Sequence, residues 1–302
     1  MQSGAVQKPE ERGKWMALAA ALLGWMFDGF EIGMFPLVGP AALDDLLAGQ
    51  LASNPTLKGE WFGVIMSVFL IGAATGGVLF GWLGDRIGRV RAMSLSIATY
   101  ALFTGLCGFA GEAWHIAVLR FIASLGMGGE WALGVALVTE IWPDRSRAFL
   151  AGLIGAASNV GMLLVGLLSL VLVNFIDGLR GWFVSMGVSE STQTYLLHGD
   201  GWRLLMIAGA LPAVLVFFIR IFVPESQKWE AERDRGGTSH WATRDLLGVL
   251  IGCAAAAMVI FLWSPTFTAL FPPSADASSA GNLALVLRIG GTLLGLAIAL
   301  VG

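Results

Sequence analysis

Gly81-Trp82-Leu83-Gly84-Asp85-Arg86-Ile87-Gly88-Arg89-Val90-Arg91 sets three arginines and an aspartate in a short turn between two long apolar runs, near 60–83 and 91–111. The arginines alone say little, because any loop on the cytoplasmic side of a membrane collects basic residues. The glycines are more specific: Gly84 and Gly88 flank Asp85 and allow a tight turn that an arbitrary basic loop does not need. Two apolar helices joined by a built turn are the expected local structure.

The rest of the chain has the same character. Of 302 residues, 56% are apolar and only 13% charged, with a mean hydropathy of +0.76, a balance that does not keep a chain in water. A spanning helix takes about 20 mostly apolar residues. That criterion selects eight segments, near 14–39, 60–83, 91–111, 114–142, 146–174, 202–223, 245–264 and 282–302. The short alternating segments of a β-barrel are not found, so an all-α membrane protein is expected. The first run is too long for a signal-peptide core and carries Asp28 and Glu31, which marks it as a retained span. With the N-terminus inside, Lys8, Arg12, Lys14, Arg86, Arg89, Arg91, Arg145, Arg147, Arg220, Lys228, Arg233, Arg235 and Arg244 share one side, against Lys58, Arg180 and Arg203 on the other. The positive-inside rule then puts the N-terminus in the cytoplasm of a multi-pass protein in the cell (inner) membrane. Cys107 and Cys253 lie in separate spans without metal-ligand spacing and read as core residues. No cofactor, metal or nucleic acid is expected.

Spans one to six read as one unit over 1–223, closed by Pro224-Glu225-Ser226. Residues 224–244 form a polar, mixed-charge cytoplasmic linker, and 245–302 hold two more spans. The stretch 175–201, with Trp182, Tyr195 and His198, is expected outside the membrane, with a short interfacial helix. Asp144-Arg145-Ser146-Arg147 is a counterpart of the basic turn at Arg86 to Arg91 and likewise joins an outgoing span to the next. Gly72-x-x-x-Gly76 and Gly77-x-x-x-Gly81, with Gly126, Gly128, Gly129 and Gly134, supply small residues for close helix contacts.

Ionisable residues within spans cost ~2.5–3.5 kcal/mol on insertion scales and so face a cavity or a partner. Asp28 and Glu31 are three apart, on one face of span one. Two carboxylates that close and partly desolvated favour a shared or exchangeable proton, although a pair held by backbone donors or an arginine is the structural alternative. Glu130 lies near the middle of span four, far from either membrane edge. Arg120, toward the outer end, either grips a carboxylate through parallel hydrogen bonds or snorkels to interfacial water. Asn159, beside Ser158 in span five, donates to substrate or bonds a neighbouring helix.

The opening stretch resembles the Gly-x-Leu-Gly-Asp-Arg-x-Gly-Arg signature between spans two and three of the major facilitator superfamily. Asp28-Gly29-Phe30-Glu31 is similar to the Asp-Gly-Tyr/Phe-Asp element of aromatic-acid:proton symporters. Met127-Gly128-Gly129-Glu130-Trp131 looks like the sialate and monocarboxylate branch. Glu31 stands where an aspartate is usual, and Ser124 where the family often has glycine. Glu140, Pro143, Arg145 and Arg147 resemble the family's span-four ending, and Pro224-Glu225-Ser226 a span-six ending of sugar porters. The resemblance implies a complete N-terminal six-helix bundle plus about two spans of the C-terminal bundle, the remaining spans of the same polypeptide being absent; a genuine eight-span protein is the competing reading. It also implies a cytoplasmic gate of Gly81, Gly84, Asp85, Arg86, Gly88, Arg89, Glu140 and Arg147. In such carriers the aspartate of the signature faces the second half, and Arg89 can pair with Glu140.

The expected function is secondary active transport, a proton-coupled symport of a small organic anion (monocarboxylate, sugar acid or aromatic acid) by alternating access. Asp28, Glu31, Arg120, Glu130 and Asn159 are the candidates for proton coupling and substrate, and solute, protons and the lipid bilayer are the partners. Three rivals are a sugar or neutral-solute uniporter, a membrane-embedded enzyme and a non-transporting receptor. Against the enzyme, His115, His198 and His240 are scattered, and the Gly-x-x-x-x-Gly-Lys-Ser/Thr, His-Glu-x-x-His and Gly-x-Ser-x-Gly patterns do not occur.

Overall fold

The computed structural model of the chain describes residues 7–142, 144–211, 214, 219, 223, 225–235, 243–270 and 277–301. Among them there is no strand. The helices are α1 (Gln7–Leu46), α2 (Ala48–Leu51), α3 (Leu57–Ile87), α4 (Arg89–Cys107), α5 (Ala113–Ile141), α6 (Asp144–Ser185), α7 (Glu190–Ala208), α8 (Gln227–Asp234), α9 (Thr243–Trp263), α10 (Pro265–Ala269) and α11 (Ala277–Val301). Five stretches are long and apolar enough to cross a membrane: Trp15–Leu46, Leu57–Ile87, Arg89–Cys107, Ala113–Val138 and Ala148–Ser185. Leu247–Trp263 and Asn282–Ile298 are apolar but shorter. The sixth expected span, 202–223, falls partly outside the described residues.

Each boundary has a local cause. Between α3 and α4 the break is a single residue, Gly88, at φ +108°, with its N–H on the Gly84 carbonyl at 3.2 Å. Only glycine takes that backbone conformation without strain. The start of α5 is capped reciprocally, the Glu112 side chain accepting from the His115 backbone while His115 Nδ1 accepts from the Glu112 N–H at 3.1 Å. That gives His115 Nδ1 a structural task. The other end of α5 stops at Trp142, in extended conformation, because the residue before a proline is pushed out of the helical region. Pro36 and Pro40 lie inside α1, which nonetheless continues to Leu46; membrane helices tolerate proline where neighbouring groups satisfy the freed backbone.

Residues 175–201 are more helical than the sequence suggests. Most of α6's extension, to Ser185, is helical, and the apolar stretch Ala148–Ser185 has 38 residues, far longer at ~1.5 Å per residue than a ~30 Å hydrocarbon core. The expected short helix is present at the start of α7, beginning at Glu190 and capped by Ser189, whose hydroxyl accepts from the Thr192 N–H. It ends in a kink at His198, Gly199, Asp200 and Gly201, the last three at positive φ.

The helices pack in a defined order. α5 lies between α3 and α4, α1 runs along α6, and α7 fills the angle between α1 and α4. α9 pairs with α11 and rests on α3. Leu43, Ile65, Ile116 and Trp202 belong to one apolar cluster, and Met93, Ile97, Met127 and Leu133 to a second. The glycines of α3 sort into two kinds. Gly72 and Gly76 abut Phe121, Ser124 and Leu125 of α5, whereas Gly81 has no neighbour within 4 Å of where a Cβ would lie. The second glycine pair is therefore not a helix contact over its whole length.

Candidate functional site

α1 and α5 run antiparallel, so Glu31 meets Arg120 at one level and Gly24 meets the Glu130 carboxylate at the other. Arg120 does not snorkel. It is 1% exposed, with its guanidinium 4.4 Å from the centre of the Phe35 ring and 4.8 Å from that of Phe69. Its Nη1 donates to Glu31 Oε1 at 3.1 Å, and Thr104 Oγ1 of α4 donates to the same oxygen at 3.0 Å. Glu31 Oε2 and Arg120 Nε have no hydrogen-bond partner. A guanidinium and a carboxylate can join through two parallel bonds; this pair uses one and keeps capacity for another group.

That pair opens on a cavity of about 180 Å³ between α1, α4, α5, α6 and α7. Glu31, Thr104 and Arg120 are its polar residues; Met26, Phe27, Phe30, Met34, Leu164, Leu205, Met206 and Leu211 make most of the remaining wall. Such a cleft is shaped like a small-ligand site, apolar with a few convergent polar groups.

One level away, Asp28 and Glu130 are 0% and 1% exposed, and all four of their carboxylate oxygens lack a hydrogen bond. Asp28 interacts electrostatically with Glu130 and Glu31, and the Trp131 indole turns toward it without closing a bond of normal geometry. Tyr100 of α4 is also buried, its hydroxyl unpartnered and in the field of the same carboxylates. Asn159 stands apart from this group. Its amide donates to the Gly155 carbonyl of its own helix at 3.4 Å, and the residue is exposed; among the described residues it forms no hydrogen bond to another helix or to the pair.

The signature turn is tied to the segment after span six. Arg89 bonds Asp85 at 2.7 Å and Glu140 at 3.2 Å. Glu140 also accepts from the Ser226 hydroxyl. Glu225 Oε1 accepts from the Val90 N–H at 3.0 Å, at the start of α4, where a carboxylate complements the helix dipole. Trp229 Nε1 donates to the Asp85 carbonyl at 2.7 Å. Arg86 stacks on Trp82 at 4.2 Å instead of joining the network, and the Arg147 side chain lies outside the described residues.

A third cluster gave little signal in the sequence, because its residues are far apart along the chain. Asp45 at the end of α1 accepts from Arg203 Nη2 and Trp202 Nε1, each at 3.2 Å, and lies 3.5 Å from His198 Nδ1. Arg203 also donates to the Ala110 carbonyl at 2.8 Å and stacks on Tyr195 at 4.5 Å. It thus locks α7 to α1 and to the turn before α5. Arg203→Ala should cost about 1.5–3 kcal/mol, the usual worth of hydrogen bonds to a charged group, read as a lower melting temperature in detergent while Arg180→Ala, exposed and 3.7 Å from Asp177, leaves it unchanged.

Residues 16–245 match the sugar (and other) transporter family. The chain belongs to that family, within the major facilitator superfamily. It is 31% identical over 218 residues to the niacin transporter NiaP of Acinetobacter baylyi, covering 72% of this chain and 42% of that protein. To the sialic acid transporter NanX of Escherichia coli it is 30% identical over 213 residues, covering 70% of this chain and 44% of that protein. The chain spans about half the length of these relatives. Among solved structures, a bacterial homologue of the human lysosomal transporter Spinster, inward-facing and unoccupied, matches with a TM-score of 0.60 at 18% identity, over 95% of this chain and 60% of that one. A D-xylose–proton symporter matches with a TM-score of 0.55, also at 18% identity, over 95% and 69%. Both show the fold of the superfamily.

Proposed function

We propose that this chain belongs to a secondary active transporter that moves a small organic anion together with protons by alternating access, with Asp28, Glu31, Arg120 and Glu130 as its coupling and substrate residues. The observation that carries this reading is the half-used Glu31–Arg120 pair in the wall of an apolar cavity. A substrate carboxylate can take the second face of the guanidinium, or displace Glu31 onto Thr104. The apolar wall favours an aromatic or unsaturated acid over a sugar acid, whose hydroxyls would find few partners there. Niacin, carried by one relative, is an acid of that kind.

In this reading the protein lies in the cell inner membrane with its N-terminus in the cytoplasm. Residues 1–223 form the N-terminal bundle, 224–244 the linker, and 245–302 the first spans of the second half. The network of Asp85, Arg89, Glu140, Glu225 and Ser226 fastens the cytoplasmic face and opens once per cycle. The membrane potential supplies ~2.3 kcal/mol per 100 mV for each net charge moved, so a monoanion carried with a single proton is driven by the pH difference alone and one carried with two protons by both.

The test is uptake by the full polypeptide in proteoliposomes with an imposed pH gradient, using labelled nicotinate, benzoate and gluconate. Accumulation of the aromatic acids above equilibrium, abolished by a protonophore, is expected. Equilibration unaffected by the protonophore would identify a uniporter instead.

A further inference from the structure

We propose that the groove between the end of α4 and the start of α5, on the face of the bundle opposite the N-terminus, holds one membrane phospholipid whose head group joins a phosphate to a primary ammonium. The groove is separate from the cavity at Arg120, and its occupant is independent of what that cavity carries.

The groove has a volume of about 390 Å³, with Leu106 and Phe109 on one side and Trp114, Val118 and Leu119 on the other. Leu106, Phe109, Trp114 and Val118 are exposed, so no described part of the chain covers it. Both helices are long and apolar enough to cross a membrane, and an uncovered apolar face of a spanning helix lies against lipid. Because α4 ends at Cys107 and α5 begins at Ala113, Trp114 stands in the first turn of its span. Tryptophans gather at that level, where head groups meet acyl chains. A plain lipid-facing surface needs neither a hollow nor a polar group. This one has both.

The polar group is His115, which lines the groove in a fixed orientation. Its Nδ1 accepts from the Gly111 N–H at 3.3 Å and the Glu112 N–H at 3.1 Å, and its ring lies on Trp114 with centroids 4.1 Å apart. An imidazole that accepts at Nδ1 carries its hydrogen on Nε2. That Nε2–H has no partner among the described residues and is a donor for a phosphate or ester oxygen. The Glu112 side chain accepts the His115 backbone N–H and is otherwise exposed, which sets a carboxylate beside the donor. Anionic lipids are held by clustered Lys and Arg. Here the neighbouring cation, Arg203, is buried beneath the turn and engaged with the Gly108 and Ala110 carbonyls and with Asp45. A neutral donor next to a carboxylate complements a head group of both signs, with the phosphate on His115 and the ammonium on Glu112. A primary ammonium donates charge-assisted hydrogen bonds to a carboxylate, and a quaternary one has no hydrogen to give. Phosphatidylethanolamine therefore fits better than phosphatidylcholine.

The test is native mass spectrometry of the full polypeptide released from micelles holding equal amounts of phosphatidylethanolamine, phosphatidylcholine and phosphatidylglycerol. Wild type is expected to keep one phosphatidylethanolamine severalfold more often than either other lipid. Val118→Trp fills the groove and should lose retention of that lipid. Glu112→Gln keeps an oxygen for the helix cap but removes the charge, and should reduce phosphatidylethanolamine to the phosphatidylcholine level. His115→Asn leaves an acceptor where Nδ1 sits and withdraws the Nε2 donor, with a severalfold loss expected. Leu102→Trp, exposed on α4 one turn before the groove, should retain lipid as wild type does. Since a ligand that binds only the folded state stabilises it, added phosphatidylethanolamine should raise the melting temperature of wild type and Leu102→Trp but not of Val118→Trp. Equal retention of phosphatidylglycerol, or retention unchanged in both Val118→Trp and Glu112→Gln, overturns the site. Dimers that Val118→Trp dissociates would give the groove to a second copy of the chain and overturn it as well.

Discussion

Arg120→Ala should abolish uptake of the organic anion and lower stability by about 3–5 kcal/mol, the cost of leaving one member of a buried ion pair alone. Glu31 would then be a carboxylate bonded only by Thr104, in a wall otherwise made of methionine, leucine and phenylalanine. The two losses separate by a second substitution. Arg120→Leu combined with Glu31→Leu removes both charges and leaves apolar groups against Phe35 and Phe69; exchanges of buried pairs for hydrophobic residues are often neutral or stabilising. The double variant is expected to melt near the wild-type temperature and still transport nothing. Arg120→Lys is the informative intermediate. It keeps the charge but gives up the planar fork that holds a carboxylate while lying on aromatic rings, so anion binding should weaken severalfold with the fold intact. Restored uptake in the Leu/Leu variant would show that Arg120 is structural only.

The sequence made the helices legible because membrane spans are written in long apolar runs, and made Arg120, Glu130, Asp28 and Glu31 stand out because a charge inside such a run has no cheap explanation. What it did not disclose is who meets whom. Whether Arg120 reached water or Glu31 depends on the register of α1 against α5, which no local pattern encodes. Thr104 and Tyr100 give no signal for a related reason: a threonine or tyrosine in a span is ordinary, and only the packing of α4 on α5 brings them to the carboxylates. Asp45 and Arg203 were hidden by a distance in sequence, although each lies at a helix end where charges are common. The helix α6 continues past residue 174 because Asp177 and Arg180 interrupt the apolar pattern without interrupting the helix.

Glycine spacing marks close helix contacts at Gly72, Gly76, Gly126, Gly128 and Gly129 but not at Gly81, and the same substitution at two positions shows the difference. Gly128 of α5 lies so close to the Ala73 carbonyl of α3 that a Cβ there would overlap backbone. Backbone cannot rotate away as a side chain can, so the two helices must separate along their length. Gly128→Ala should therefore cost about 1–3 kcal/mol or more, the range for overpacking a tight contact. Gly81→Ala, by contrast, adds a methyl to open space on α3 and should hold or raise the melting temperature, since alanine is favoured over glycine in a helix interior by about 1 kcal/mol. The first substitution also carries a functional penalty. Glu130 is two residues along α5 from Gly128, and its fit over Gly24 depends on how closely α5 is held; moving α5 off α3 shifts Glu130 relative to Asp28. Gly128→Ala is therefore expected to lose pH-gradient-driven accumulation before it loses solute exchange, and equal thermal stability of the two alanine variants would show that the α3–α5 contact is not the constraint on Glu130.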